Sequence, residues 1–218
     1  MLANLFLHYV FDCWMDRNWP DVPFCRYADD AVCHCCSEDQ ARRLIETLEL
    51  RFGECGLTLH PDKTRIVYCQ DDRRRKCHTE RSFDFLGYTF RGRPTRDRQG
   101  ELFVGFNPAV SQKSLKAMSA TVRSWRLHLR MHWTLEQMAE AINPVVRGWL
   151  RYYGHYNVGR LHRLFAQLEV RLARWFRRKY KSLGRSLRKA YALLRKIRGA
   201  RPQLFAHWQS LYTGRMAR

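Results

Sequence analysis

The chain has 218 residues, of which 45% are hydrophobic and 28% charged, a balance that is typical of a globular protein and excludes a wholly disordered one. No apolar run reaches the roughly 18–20 residues that span a bilayer, and no cleavable signal sequence is evident. We therefore expect no membrane association and an intracellular, cytoplasmic protein, with the nucleoid as one candidate location.

Charge is distributed unevenly along the chain, whose formal net charge is +20. Residues 1–70 contain seven Lys/Arg and eleven Asp/Glu, whereas residues 71–218 contain 33 and nine. From Ala141 onward, 19 basic residues accompany a single acidic one, Glu169. Solvation explains most charge runs, but it does not require such one-sidedness. We therefore predict that the second part of the chain binds a nucleic-acid backbone.

The chain begins with a helix and a hairpin. Apolar residues recur at the spacing of one helical face over residues 2–19, which predicts a helix that packs against the core. Two short apolar runs then predict strands at Phe24–Ala28 and Ala31–Cys36, with Asp29-Asp30 as the two-residue connection between them.

The adjacent carboxylates of Asp29 and Asp30 are the first candidate site. At the tip of a rigid hairpin both can reach one hard cation, and oxygen ligands suit Mg²⁺ that also holds phosphate oxygens. An arbitrary Asp-Asp pair is more often turn chemistry. This pair lies between two apolar strands, which favours a metal site for phosphoryl transfer.

Eight cysteines lie within the first 77 residues. The run Cys33-His34-Cys35-Cys36 could indicate a soft-metal site, but neighbouring residues of a strand point to opposite faces. We therefore expect the cysteines to be small buried hydrophobic residues in a reducing compartment.

The region after the hairpin predicts a second helix and two further strands. Ser37 is suited to cap a helix whose apolar residues extend to Phe52. The stretch Gly56–Val67 predicts a strand, a proline-containing turn and a returning strand. Lys63 lies close to this turn, where it could reach a reacting phosphate or could be an ordinary surface lysine.

Residues 71–106 predict a loop followed by strands. The polar stretch Asp71–Arg81 predicts a solvated loop, and Ser82–Phe90 predicts one strand that pairs with Leu102–Phe106. Within that strand, Gly87 indicates a place where another backbone approaches closely.

From Asn107 onward the pattern is helical. The predicted helices are Ser111–Arg130, Thr134–Tyr156 with an irregularity at Asn143-Pro144, Gly159–Lys181 and Leu183–Arg198. The fold class is therefore α+β, with a mixed first half that contains antiparallel strands and a basic, all-helical second half.

The basic helices hold the candidate RNA-binding residues. Arg147 and Arg151 share a helical face, where they can meet phosphates or stack on an unpaired base. Trp149 and Tyr153 lie on an apolar stripe of the same helix and are expected to pack in the core. The next helix adds cations that should track a nucleic-acid backbone, namely Arg171, Arg174, Arg177, Arg178 and Lys181.

Several motifs, taken in this order, resemble the reverse transcriptase/maturase that group II introns encode, and the resemblance extends over nearly the whole chain. The motifs are Leu2-Ala3-Asn4-Leu5-Phe6-Leu7-His8-Tyr9-Val10-Phe11-Asp12, Tyr27-Ala28-Asp29-Asp30, Gly56 to Thr64, Phe85-Leu86-Gly87-Tyr88 and Pro144 to Gly154.

The resemblance implies that residues 1–106 form part of a polymerase palm and residues 107–218 a helical thumb, which is the maturase domain. It implies RNA-templated DNA synthesis in which Asp29 and Asp30 bind Mg²⁺ and Lys63 is the acid for the leaving group. The block that grips the primer corresponds to Phe85, Leu86, Gly87 and Tyr88. The implied partners are group II intron RNA, an RNA template and a DNA primer.

In the family, nucleotide-facing fingers, a further metal-binding aspartate and a template-contacting glycine block precede the residues that this chain matches. We therefore expect the chain to be the C-terminal portion of a mobile-element reverse transcriptase, to bind dNTP only with a complementing fragment, and to be inactive in primer extension alone. Two alternatives stay open: an RNA-binding splicing cofactor that needs no active site, and a decayed fragment.

Overall fold

The computed structural model describes residues 2–70, 78–97, 99–184 and 186–209. Contacts divide the chain into two compact units, residues 1–82 and residues 83–218. Helices and two small antiparallel sheets confirm the predicted α+β class. The assignment of palm and thumb with a boundary at residue 106 stays a prediction, because compactness alone does not define either.

The first unit begins with a helical run that changes its winding. It consists of α1 (Leu2–Leu7), a π-helical turn (His8–Asp12) and α2 (Cys13–Asn18). The expectation that its apolar face packs in the core is wrong for the first two turns, where Leu2 is 84% and Tyr9 64% exposed. A π turn contains an extra residue, so it rotates the helix and brings different residues, among them Phe11 and Met15, into the core.

The hairpin consists of β1 (Phe24–Tyr27) and β2 (Asp30–Cys33), which pair antiparallel with Tyr27 opposite Asp30. Its turn is therefore Ala28-Asp29, one residue earlier than predicted, and Asp30 is the first residue of β2. Ala28 adopts φ = 55°, a left-handed conformation that costs energy for a residue with a Cβ atom.

A second helix covers this hairpin region as predicted. The helix α3 (Glu38–Glu54) is capped by Ser37, whose hydroxyl accepts a hydrogen bond from the Gln40 amide at 3.1 Å. Its apolar face contributes Leu44 and Leu48 to the core of the first unit.

The predicted strands within Gly56–Val67 are wrong, since the described residues from Leu57 to Gln70 contain no strand. The turn is present, with the Thr64 amide donating to the His60 carbonyl at 2.9 Å. Residues 65–70 instead contact residues 78–81, as the Tyr68 amide donates to the Glu80 carbonyl at 2.9 Å. Most of the predicted loop Asp71–Arg81, namely residues 71–77, lies outside the described residues.

The second sheet contains β3 (Ser82–Phe85), β4 (Tyr88–Arg96) and β5 (Leu102–Val110) in that order. The predicted single strand Ser82–Phe90 is wrong, because a two-residue turn at Leu86-Gly87 divides it. The two turn residues have φ of 49° and 78°, as type I′ hairpins require. The predicted pairing of Leu102–Phe106 is confirmed, with β5 antiparallel to β4.

The helices of the second unit surround its core. They are α4 (Gln112–Ser124), α5 (Leu135–Tyr153), α6 (Gly159–Lys179) and α7 (Leu187–Ala200). The predicted first helix ends early, because Arg126 is left-handed with φ = 45° and a 3₁₀ turn (Leu127–Leu129) follows. The helix α5 continues through Asn143 and Pro144, so the predicted interruption there is wrong.

The core of this unit is built from α6, whose buried residues include Phe165, Leu172 and Trp175. Among the described helices, none is long and apolar enough to cross a membrane. The seven described cysteines are free, and none is fully buried, while Cys25 and Cys36 are exposed. The expectation of buried cysteines is therefore wrong, because the small β1–β2 hairpin is covered only in part.

Candidate metal-binding hairpin and nucleic-acid interface

The carboxylates of Asp29 and Asp30 lie at the tip of the β1–β2 hairpin and are exposed to solvent. Neither side chain has a hydrogen-bond or ion-pair partner among the described residues. Unpaired oxygens next to each other at a sheet tip are available to a cation. In the described part of the chain, no group of three or more His, Cys, Asp or Glu residues forms a metal cluster.

Arg26 braces this tip from below. Its Nε and Nη2 atoms each donate to the Asp12 carboxylate at 2.6 Å, and its Nη1 atom donates to the Ala28 carbonyl at 2.8 Å. The hydrogen bond from Arg26 lowers the pKa of Asp12 below its ordinary value, against the smaller opposing effect of burial. Because Asp12 neutralises this guanidinium, Arg26 can fix the turn without pairing with the exposed carboxylates.

Sequence reasoning did not find the pairing of Arg26 with Asp12. Asp12 belongs to the π-helical turn and Arg26 to β1, so the pair joins segments that are 14 residues apart. An acid on a helix and a base on a strand carry no shared spacing signal.

Lys63 is exposed in the turn after α3, where its amide donates to the His60 carbonyl at 3.2 Å. Its ammonium group contacts neither Asp29 nor Asp30 in the described structure. Its role as an acid therefore stays a prediction.

The predicted primer-grip block forms the turn between β3 and β4. Phe85 ends β3, Leu86 and Gly87 form the turn, and Tyr88 begins β4 and is 8% exposed. The C-terminal end of α5 holds this turn, since the Tyr152 hydroxyl donates to the Leu86 carbonyl at 2.9 Å. In return, the Tyr88 hydroxyl donates to the Tyr152 carbonyl.

Gly87 is the closest point of this contact. A Cβ atom built there would lie 2.6 Å from the Tyr153 hydroxyl and 3.0 Å from the Ser114 hydroxyl. The element that approaches Gly87 is therefore a pair of side chains, not the second backbone that the sequence predicted. The Gly87 carbonyl accepts hydrogen bonds from the Ser111 amide at 2.9 Å and from the Ser114 hydroxyl at 3.1 Å.

The predicted arginines of α5 and its apolar stripe separate as expected. Trp149 and Tyr153 are partly buried and pack against the core of the second unit. Arg147 and Arg151 are exposed, and their guanidinium groups have no partner among the described side chains.

Four arginines that the sequence singled out converge on one concavity of about 500 Å³, which we call the arginine cleft. The lining residues are Arg171, Arg174, Arg177, Arg178, His128 and Leu187. The 3₁₀ turn that carries His128 is fixed to α6, since Trp175 Nε1 donates to the Arg130 carbonyl at 2.9 Å. Lys181 is exposed but does not line this cleft.

Positive charge is concentrated at Arg171. Its Nε atom is buried without a hydrogen-bond partner among the described residues. Burial, followed by the charges of Arg174 and Arg123, lowers the pKa of Arg171 from its ordinary value. An anion in the arginine cleft would relieve this repulsion.

Two family models match the chain. The model for reverse transcriptase (RNA-dependent DNA polymerase) matches residues 1–90, which contain the β1–β2 hairpin and the primer-grip turn. The model for the maturase-specific domain of group II introns matches residues 115–192, which contain α5, α6 and the arginine cleft. No curated protein matches the chain significantly.

These families imply binding of intron RNA and of a nucleic-acid template and primer, and reverse transcriptases use a divalent metal. The two regions follow one another in the order that the sequence motifs indicated, and together they include both candidate sites. The chain therefore belongs to the reverse transcriptase/maturases encoded by group II introns.

Proposed function

We propose that the arginine cleft is a binding surface for group II intron RNA. The observation that carries the proposal is the convergence of four guanidinium groups on one concavity within the region that matches the maturase-specific domain. None of the described residues that line the cleft is acidic. Guanidinium groups bind phosphate oxygens with two parallel hydrogen bonds, so a folded RNA backbone suits this surface.

Arg147 and Arg151 form a second candidate RNA contact on α5. They are exposed and unpaired in the described structure, and the partly exposed Tyr152 lies beside them. We expect both contacts to depend on electrostatic attraction. Lys181 adds a further charge just after α6.

For the reverse-transcriptase region, we propose that Asp29 and Asp30 bind Mg²⁺. Two exposed carboxylates fit this cation, which usually takes one or two protein carboxylates and completes its shell with water and phosphate oxygens. When bound, the metal would favour ionisation of a primer 3′ hydroxyl and offset phosphate charge. Arg26 holds the turn that carries both carboxylates.

The remaining roles follow from position and charge. We propose that Lys63 donates a proton to the pyrophosphate that leaves an incoming dNTP, since its ammonium group is exposed and unpaired among the described residues. We also propose that Phe85, Leu86, Gly87 and Tyr88 contact the primer. Hydrogen bonds from α5 and α4 support a fixed orientation of that turn.

The test of RNA binding uses two variants with two substitutions each, Arg174→Gln/Arg178→Gln and Arg147→Gln/Arg151→Gln. Affinity for structured intron RNA is measured by filter binding across a salt series. Each lost phosphate contact releases fewer counterions, so the plot of log K against log salt should flatten by roughly 0.7–0.9 per contact.

The matched control is Lys113→Gln/Lys116→Gln, which removes two exposed charges from α4 outside both surfaces. It should leave the slope unchanged. Circular dichroism shows whether each variant is folded. An unchanged slope in a folded arginine-cleft variant would contradict the proposal, and the same result for Arg147 and Arg151 would limit the RNA contact to α6.

A further inference from the structure

A second concavity of the helical unit lies between α6 and α7 and has a volume of about 330 Å³. We call it the interhelical cavity. Its lining residues are His162, Ala166, Glu169, Val170, Tyr191, Arg195 and Arg198. None of them lines the arginine cleft, so the two concavities are separate.

Two nitrogen atoms at this cavity are buried without a partner. They are His162 Nε2 and Arg198 Nε, and neither has a hydrogen bond to any described residue. Buried polar atoms in folded proteins are nearly always hydrogen-bonded, either to protein or to a bound molecule. Two such atoms on one cavity indicate that the cavity is completed by something that accepts hydrogen bonds.

The acidic residue of the cavity is already occupied. The Glu169 carboxylate accepts hydrogen bonds from His207 Nε2 at 2.8 Å and from Trp208 Nε1 at 2.5 Å. Its other oxygen lies 3.8 Å from Arg198. The groups left to a ligand are therefore donors, namely Arg195, Arg198, His162 and the Tyr191 hydroxyl, and their charge favours an anion.

We propose that the interhelical cavity binds a nucleoside monophosphate, either free or as the 5′-terminal nucleotide of an RNA strand. The phosphate would be held by Arg195 and Arg198, with His162 as a further donor. Inorganic phosphate is much smaller than 330 Å³, and the apolar wall of Val170, Ala166 and the Tyr191 ring suits a nucleoside. This site does not depend on RNA binding by the arginine cleft.

The experiment titrates 5′-AMP into the full chain and follows binding by calorimetry and by the shift in Tm. The variants are Arg195→Gln and His162→Leu, and the control is Lys196→Gln, which removes an exposed charge from the same helix outside the cavity. We expect affinity to fall at least tenfold in Arg195→Gln and to stay unchanged in Lys196→Gln. His162→Leu should lose affinity without losing Tm in the absence of ligand, since it removes an unpaired buried atom.

Comparison ligands identify the source of the phosphate. Competition by a 5′-phosphorylated RNA oligonucleotide, but not by its 5′-hydroxyl form, would support a strand end, whereas AMP binding without such competition would support the free nucleotide. Equal affinity for AMP and inorganic phosphate would overturn the nucleoside assignment. Absence of binding, or an equal loss of affinity in Arg195→Gln and Lys196→Gln, would overturn the site. Arg174→Gln/Arg178→Gln should still bind AMP, so failure of one proposal is distinguishable from failure of the other.

Discussion

Glu169 shows how one residue can connect distant parts of a basic domain. It is the single acidic residue among 19 basic ones after Ala141, and its carboxylate accepts hydrogen bonds from two residues of the segment after α7. His207 and Trp208 are both fully buried. The acid therefore fixes the end of the described chain to α6.

Replacement of Glu169 by Gln should destabilise the protein at neutral pH by about 1–3 kcal/mol, the typical cost of a buried hydrogen bond that loses its charged partner. Burial alone would raise the pKa of Glu169, but hydrogen bonds from His207 and Trp208 and the charge of Arg198 lower it. A lowered pKa in the folded state gives stability that is present above the ordinary value of 4.5 and is lost as pH falls through the folded value.

Urea unfolding at neutral pH and in acid checks this prediction. The stability difference between the wild type and Glu169→Gln should be large at neutral pH and should shrink below pH 4.5. The control Glu140→Gln changes an exposed acid on α5 and should have no effect. A difference that is the same at both pH values would show that ionisation of Glu169 does not contribute.

At the scale of elements, the primer-grip turn and α5 form one interlocked structure. Tyr152 and Tyr153 each contact the Leu86-Gly87 turn or its neighbour Ser114, and Tyr88 packs against both rings. The orientation of the turn is therefore set by a helix that begins almost 50 residues later in the chain.

Gly87→Ala tests this interlock, with Gly100→Ala as its matched control. Both glycines have positive φ, so either alanine should cost roughly 1–2 kcal/mol of unfolding free energy. Only at Gly87 would the new methyl group overlap the Tyr153 and Ser114 hydroxyls, whereas space around Gly100 is open. Gly87→Ala should therefore cost about 1–3 kcal/mol more than the control, as overpacking does. Equal losses in urea unfolding would contradict the contact.

Local signals in the sequence predicted those elements that local interactions determine. The N-cap at Ser37 and the amphipathic helices of the second unit are confirmed because caps and apolar periodicity act within a few residues. The strands within Gly56–Val67 were wrong because their pairing depends on a distant partner, which here is the segment near Glu80.

The same distinction applies to the candidate sites. The arginines of α6 could be predicted to share a surface because their spacing along one helix fixes their directions. The contribution of His128, the bracing of the hairpin by Arg26 and the grip of Tyr153 on Gly87 are long-range contacts. No spacing rule in a single sequence predicts them.

At the scale of the whole molecule, the two compact units differ in charge. Residues 1–82 carry 12 basic and 14 acidic residues, whereas residues 83–218 carry 28 and six. A polyanion should therefore bind the second unit, while the near-neutral first unit can bind cations at Asp29 and Asp30.

The variant Asp29→Ala/Asp30→Ala should lose binding of Mg²⁺ or of Mn²⁺ as its paramagnetic substitute, because both candidate ligands are removed. Its affinity for intron RNA should stay within twofold of the wild type, since the RNA surface lies in the other unit. Mn²⁺ binding is measured by electron paramagnetic resonance and RNA affinity by filter binding. Primer extension is measured with and without a polypeptide that supplies reverse-transcriptase fingers, and the variant should be inactive in both.

Asp21→Ala is the control for this variant, because Asp21 is an exposed acid of the first unit outside the hairpin. It should behave like the wild type in all three assays. Retention of metal binding by the double alanine variant would refute the assignment of the metal ligands. Loss of RNA affinity in a folded variant would refute the independence of the two units.

The contact between Gly87 and Tyr153 also has an evolutionary consequence. Positions 87, 114 and 153 lie far apart along the chain but share one small volume, in which two hydroxyl groups leave no room for a Cβ atom. A larger residue at position 87 would be tolerated only together with a smaller residue at position 153. Among related chains, these three positions should therefore vary jointly, and recombination that joins the turn of one protein to the α5 of another should yield functional proteins only when the pairs match.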